Sequence, residues 1–161
     1  MSGMIGTVGA NSGVLGIQSS QTQPSWASNR HGESSLTGAQ IITWNPTCNH
    51  NYGGHFNTSN DTWTCPVNGV YECYMGGMGH GGQSSNDCQL ELKINGSYET
   101  GGAKYVGYRS GGSPGPPGHH QFASLYRVMI LDAGATIQFW NSGAGYVQAS
   151  QYHIGSIKLV A

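Results

Sequence analysis

Seven histidines are the first residues in this 161-residue chain whose type suggests chemistry. His119 and His120 are adjacent, and His50, His55, His80 and His153 are spread through the rest. One imidazole per subunit around a three-fold axis would supply three nitrogen ligands, a count that suits zinc or nickel. The plainer reading is hydrogen-bonded or solvated histidines on loops, and no metal or other cofactor is expected. Asp61, Asp87, Asp132 and four glutamates are the whole carboxylate inventory, and no two are close in sequence. That is a poor set for calcium, which collects several oxygens, and for glycoside hydrolysis, which needs two facing acids. No enzyme is expected. Cys48, Cys65, Cys73 and Cys88 lack the Cys-x-x-Cys spacing of zinc sites. An even count would fit disulfides in a secreted protein. The opening Met1-Ser2-Gly3-Met4-Ile5-Gly6 has no basic stretch or unbroken apolar run of a leader, so reduced thiols are the expectation.

Aromatic residues have two possible uses. Trp44, Trp63 and Tyr71 read as core. Tyr105, Tyr108 and Tyr146 neighbour glycine-rich stretches and, with His119 and His120, make candidate binding loops at one end of the molecule. Exposed aromatics of that kind stack on sugars or anchor protein partners.

Composition narrows the partners. Charged residues are 8% of the chain and the net charge is -1, against about 25% charged in an average protein. Six scattered basic residues cannot neutralise a phosphate backbone, so nucleic acid is not a partner. No run of 18 apolar residues would cross a membrane as a helix. A polar, weakly charged surface has little colloidal protection of its own, which suits a chain partly covered in an assembly.

The elements that must position these residues are strands. Leu90, Leu92 and Ile94 alternate with Glu91 and Lys93, and Asn95-Gly96 then marks a tight hairpin. Gly69 to Met75 alternates Tyr71, Cys73 and Met75 against Glu72 and Tyr74. Ile41 to Trp44, His55 to Asn57, Thr62 to Cys65, Lys104 to Tyr108, His120 to Leu131, Thr136 to Trp140 and Tyr152 to Val160 complete about eight to ten strands. No segment carries a helical stripe. An all-β antiparallel sandwich follows, with loops at 76–86 and 109–120. Gly112 to Gly118 resembles two collagen triplets, too few for a triple helix and better read as an extended loop.

Trp63-Thr64-Cys65-Pro66-Val67-Asn68-Gly69-Val70-Tyr71 resembles the signature of the C1q/TNF family, aromatic-x-Cys/Ala-Pro followed by Gly-x-Tyr. Ile42-Thr43-Trp44-Asn45, Gly54-His55-Phe56-Asn57, Leu90 to Gly96, Leu131 to Ile137 and Tyr152 to Leu159 are similar to the family's other landmarks in the same order. Cys73 departs from the usual aromatic, and Ala135 from the usual Asp. The resemblance covers about residues 40–161 and implies a jelly roll that packs as a homotrimer and binds partners without catalysis.

Three segments are therefore expected: an anchoring arm at 1–18, a linker at 19–39, and the jelly roll at 40–161. The arm repeats Ser-Gly, two apolar residues and Gly, placing Met4, Ile5, Val14 and Leu15 as plugs. It resembles the leaders of short bacteriophage virion proteins. The expected role is a trimeric capsid decoration or cement protein, made in the host cytoplasm and displayed on the virion surface. The alternatives are a fibre tip that binds a host surface glycan or protein, and a free recognition module.

Overall fold

The computed structural model describes residues 23–30, 36–47, 50–80, 89–99, 105–106, 120–142, 146–147 and 153–161. Among them there are strands and turns but no helix. In chain order the strands are β1 (Ser25–Asn29), β2 (Leu36–Thr37), β3 (Gln40–Ile41), β4 (His50–Tyr52), β5 (Phe56–Asn57), β6 (Thr62–Thr64), β7 (Gly69–His80), β8 (Gln89–Ile94), β9 (Ser97–Tyr98), β10 (Tyr105–Val106), β11 (His120–Leu131), β12 (Thr136–Asn141), β13 (Tyr146–Val147) and β14 (Ile154–Leu159).

They form two antiparallel sheets. In the first, β4, β1, β14, β7 and β11 lie side by side, while β13 pairs with the far end of β7 and β2 with β13. The second runs β5-β6-β12-β8-β10, with β3 beside β12 and β9 beside β8. This is an all-β jelly-roll sandwich, and the alternation read from the sequence explains it. Tyr71, Cys73 and Met75 of β7 are all buried, as are Leu90 and Leu92 of β8 and Ile137 and Phe139 of β12. Asn95 and Gly96 both have positive φ, 51° and 78°, the type I′ geometry that matches strand twist in a two-residue hairpin. The Asn95 side chain also accepts a 2.9 Å hydrogen bond from the Thr136 amide, tying this turn to β12.

The signature segment closes on itself. The Tyr71 hydroxyl donates to the Val67 carbonyl at 2.7 Å, bracing the turn that follows Cys65-Pro66. The Ile41 to Trp44 strand is shorter than expected: Gln40–Ile41 pairs with β12, and the last backbone bond to it runs from the Ile42 N–H to the Phe139 carbonyl at 2.9 Å. Trp44 still enters the core, and its amide donates to the buried Asp61 carboxylate at 2.9 Å. The segment expected as a loop from residue 76 is strand as far as His80, where β11 pairs with it residue for residue.

The expected linker at 19–39 needs correcting. Its residues 25–29 are β1, a strand between β14 and β4, and residues 36–37 are β2. Trp26 is buried, stacked on Phe56 at 4.0 Å between ring centroids and edge-on to Trp44 at 5.2 Å. Arg30 is also buried, its Nε donating to the Thr43 carbonyl at 2.7 Å. The folded unit therefore starts before residue 40. The 1–18 arm lies outside the described residues.

One close approach fixes how β14 meets the aromatic cluster. A Cβ on Gly155 would sit 2.5 to 2.9 Å from three atoms of the Trp44 ring, closer than any carbon contact tolerates. The ring is buried against Phe139, 5.5 Å away, and cannot swing clear. Gly155→Val is expected to lower stability by about 1–3 kcal/mol through overpacking, read as an earlier urea midpoint at unchanged slope.

Candidate functional site

The titratable groups among the described residues are dispersed. No three His, Cys, Asp or Glu among them stand close enough to hold a metal. The carboxylates have local duties: Asp61 holds the Trp44 amide, Glu72 pairs with Lys158 at 3.0 Å, and Glu99 pairs with Arg127 at 3.1 Å. The histidines are dispersed. His50 Nε2 is 2.7 Å from the Ser25 hydroxyl, His55 meets Trp63 edge-on, and His153 is buried against Gly77. Cys65 and Cys73 are free and buried. Burial pushes both thiols up. Thiols held protonated in this way are poor nucleophiles.

The unusual feature is the outward face of the first sheet. On β11 the side chains alternate, with Leu125 buried and its neighbours turned out. Three consecutive outward residues are large and apolar: Tyr126 is 56% exposed, Val128 53% and Ile130 85%. The register extends the face sideways. Tyr126 stands opposite Tyr74 of β7, Ile130 opposite Val70, and Ile154 of β14, 50% exposed, opposite Gly76. The Glu72–Lys158 ion pair crosses the middle of this surface. Partial loss of water and then the Glu72 carboxylate raise the Tyr126 phenol above its usual range. Single exposed hydrophobes are ordinary, but three in succession on one edge strand, beside Tyr74 and Val70 of β7, form the kind of patch found at interaction surfaces.

The loop residues singled out by sequence are partly brought together. Backbone pairing puts His120, His80, Tyr146 and Thr37 in one row across β11, β7, β13 and β2. Tyr105 is on the other sheet, opposite Leu90. Residues that flank the segments 81–88, 107–119 and 143–145 gather at this end of the sandwich, where the Ser142 amide donates to the Gln89 carbonyl at 2.8 Å. Tyr108, His119, Met4, Ile5, Val14 and Leu15 lie outside the described residues. Sequence reasoning did not single out Tyr126, Val128 and Ile130. The available signal was that β11 carries large apolar residues on both faces, which half-buried strands do not need.

No family model matches the chain, and no curated protein matches it. Solved structures do. The globular domain of zebrafish Complement 1qA protein superposes with a TM-score of 0.63 at 16% identity, covering 86% of this chain and 98% of that one. Murine APRIL at pH 5.0 gives 0.60 at 12% identity over 86% of this chain and 99% of that one. Eiger TNF from S. frugiperda gives 0.58 at 12% identity, over 87% and 94%. The fold is thus that of C1q and TNF domains.

Proposed function

We propose that this chain is a non-catalytic structural module that works as a homotrimer, three copies covering one another's apolar sheet faces. The exposed block of Tyr126, Val128, Ile130 and Ile154 carries this reading. Burying a large aliphatic side chain fully contributes about 1.5–3 kcal/mol. Completing the burial of half-exposed residues contributes about 1 kcal/mol each, repeated at three interfaces. The resemblance of the chain's landmarks to the C1q/TNF family supports the same stoichiometry.

The setting we propose is the surface of a bacteriophage virion, as a capsid decoration or cement protein gripped through residues 1–18. Its support is the repeated Ser-Gly-x-x-Gly pattern around Met4-Ile5 and Val14-Leu15, and a surface poor in charge. Fixing a chain segment in one conformation costs about 1–2 kcal/mol per residue, and four small plugs return only several kcal/mol. One arm would hold weakly. Three arms joined in one body hold by avidity, which makes the trimer a requirement for attachment.

Light scattering should give the isolated protein a mass three times its 17.0 kDa chain. Deleting residues 1–18 should leave that mass unchanged while abolishing co-sedimentation with capsids. Truncated trimers that still bind capsids at full occupancy would refute the anchoring role. A stable single subunit would refute the assembly.

A further inference from the structure

The second sheet's outward face carries a different kind of surface. Its residues come from β8, β9, β12 and β6 and are set in two rows by the register. Tyr98, Lys93 and Gln138 make one row, with Thr62 hydrogen-bonded to Gln138 at its end, and Glu91 opposite Trp140 makes the next. The Tyr98 and Trp140 rings are 6.1 Å apart and nearly perpendicular, at 81°, forming a corner. The Lys93 ammonium sits in that corner, 3.5 Å from the Trp140 ring centre and 4.5 Å from that of Tyr98. Gln138 stands beside it, accepting from the Trp140 indole N–H at 3.4 Å and donating to the Thr62 hydroxyl at 2.8 Å. Tyr98 is 42% exposed, and Lys93, Gln138 and Trp140 are all partly open to solvent.

We propose that this corner is a saccharide-binding site, with Trp140 and Tyr98 as the stacking rings and Lys93 and Gln138 as the hydrogen-bonding groups. The chemistry of the corner selects the ligand. An aromatic ring face attracts positive partial charge, and an ammonium already occupies that position. The C–H face of a pyranose presents charge of the same sign over a similar area. Its hydroxyls both donate and accept, matching an amide, a hydroxyl and an ammonium lying within one sheet face. Lys93 has a long, flexible stem, so its ammonium can turn from the ring onto a ligand hydroxyl while the sugar takes its place.

Other ligand classes fit less well. A cationic ligand would have to enter against the charge of Lys93. Nucleic acid needs several cations on one face, and Lys93 is the one cation in these two rows. A protein partner wants a continuous apolar centre, whereas here two rings are surrounded by amide, hydroxyl and charged groups. The site is also separate from the self-association face, since it belongs to the other sheet. In a trimer it would recur three times, which suits a repeating surface polysaccharide. Binding of a single free sugar does not need the trimer, so the two proposals fail separately.

The test screens the full-length protein on a printed array of bacterial and animal glycans. The best hit is then titrated in solution while the tryptophan indole N–H signals are followed by NMR. The expected result is saturable binding that moves the Trp140 signal, with a dissociation constant in the range of about 0.1–10 mM for one weakly enclosed sugar. Trp140→Ala and, independently, Tyr98→Ala should weaken it at least tenfold while leaving the oligomeric mass of the protein unchanged, and Tyr98→Ala should leave the thermal midpoint unchanged as well. Tyr98 is exposed at a strand end, so its variant reads the site even if Trp140→Ala disturbs β12. No hit on the array, a hit that survives both variants, or saturation by choline chloride in place of sugar would overturn the proposal.

Discussion

Replacing Val128 and Ile130 together by glutamate is expected to turn the assembly into soluble single subunits. Both side chains point away from the core, so the sandwich itself loses little: Leu125 stays buried and Met129 and Leu131 still pack on the core from the inner face of the same strand. The partner loses far more. Two apolar contacts per subunit become carboxylates, the one at 128 standing opposite Glu72, whose Lys158 is already paired, and an uncompensated buried charge costs several kcal/mol. The penalty is repeated at each of three interfaces. Ultracentrifugation should show the mass falling threefold, with circular dichroism and the cooperativity of unfolding retained. A double variant that keeps its trimeric mass would place the self-association surface elsewhere. Under the proposed attachment by three arms, the same variant should also be lost from capsids although its arm is intact.

The second large effect concerns where the domain begins. A chain starting at residue 23 should fold, and one starting at residue 40 should not. Removing residues 23–39 takes out β1, which pairs with β14 on one side and β4 on the other, so both neighbours lose a ladder. It also empties the space filled by Trp26 and leaves Phe56 and Trp44 facing a void. Loss of a buried Trp side chain alone costs about 3–5 kcal/mol, a large part of the 5–15 kcal/mol that holds a domain together. Trp26→Ala in the full chain isolates that component and should lower the urea midpoint strongly. If the chain from residue 40 unfolds cooperatively at the same midpoint as the full protein, β1 is dispensable and the linker reading returns.

The error at β1 has a physical cause. Ser25-Trp26-Ala27-Ser28-Asn29 offers only one large apolar residue, because the second inward position is Ser28, which is buried and small. Alternation cannot be seen in a strand whose inward side chains are a Trp and a Ser. The same reason hid the end of β7, where Gly76 and Gly77 continue the strand without side chains to alternate; a Cβ at Gly77 would run into the His153 ring. By contrast, β8, β11 and the Asn95-Gly96 turn were legible, since large inward residues and a positive-φ dipeptide leave direct marks in sequence. The signature around Cys65-Pro66 was legible because a turn braced by the Tyr71 hydroxyl needs its residues at fixed spacing.

The candidate surfaces were less legible than the fold. The outward face of β11 shows itself only when Tyr126, Val128 and Ile130 are joined to Tyr74 and Ile154 by the register. The aromatic corner needs Tyr98 and Trp140, 42 positions apart in the chain, to meet through β8. Such pairings depend on strand order, which no local pattern encodes. The loop-end residues His120 and Tyr146 do fall in one row, but through β7 and β13 rather than through any spacing between them.

Twelve residues of β11 are hydrogen-bonded to β7 along one side only, and among the described residues no strand completes the other. Such a rim is a template for runaway polymerisation, all the more because Tyr126, Val128 and Ile130 expose apolar side chains along it. A subunit shed by dilution or warming would then be prone to fibrillise before it could find its companions again. In the proposed trimer, departure becomes a one-way exit, so its endurance would depend on how slowly subunits leave rather than on how tightly they rebind.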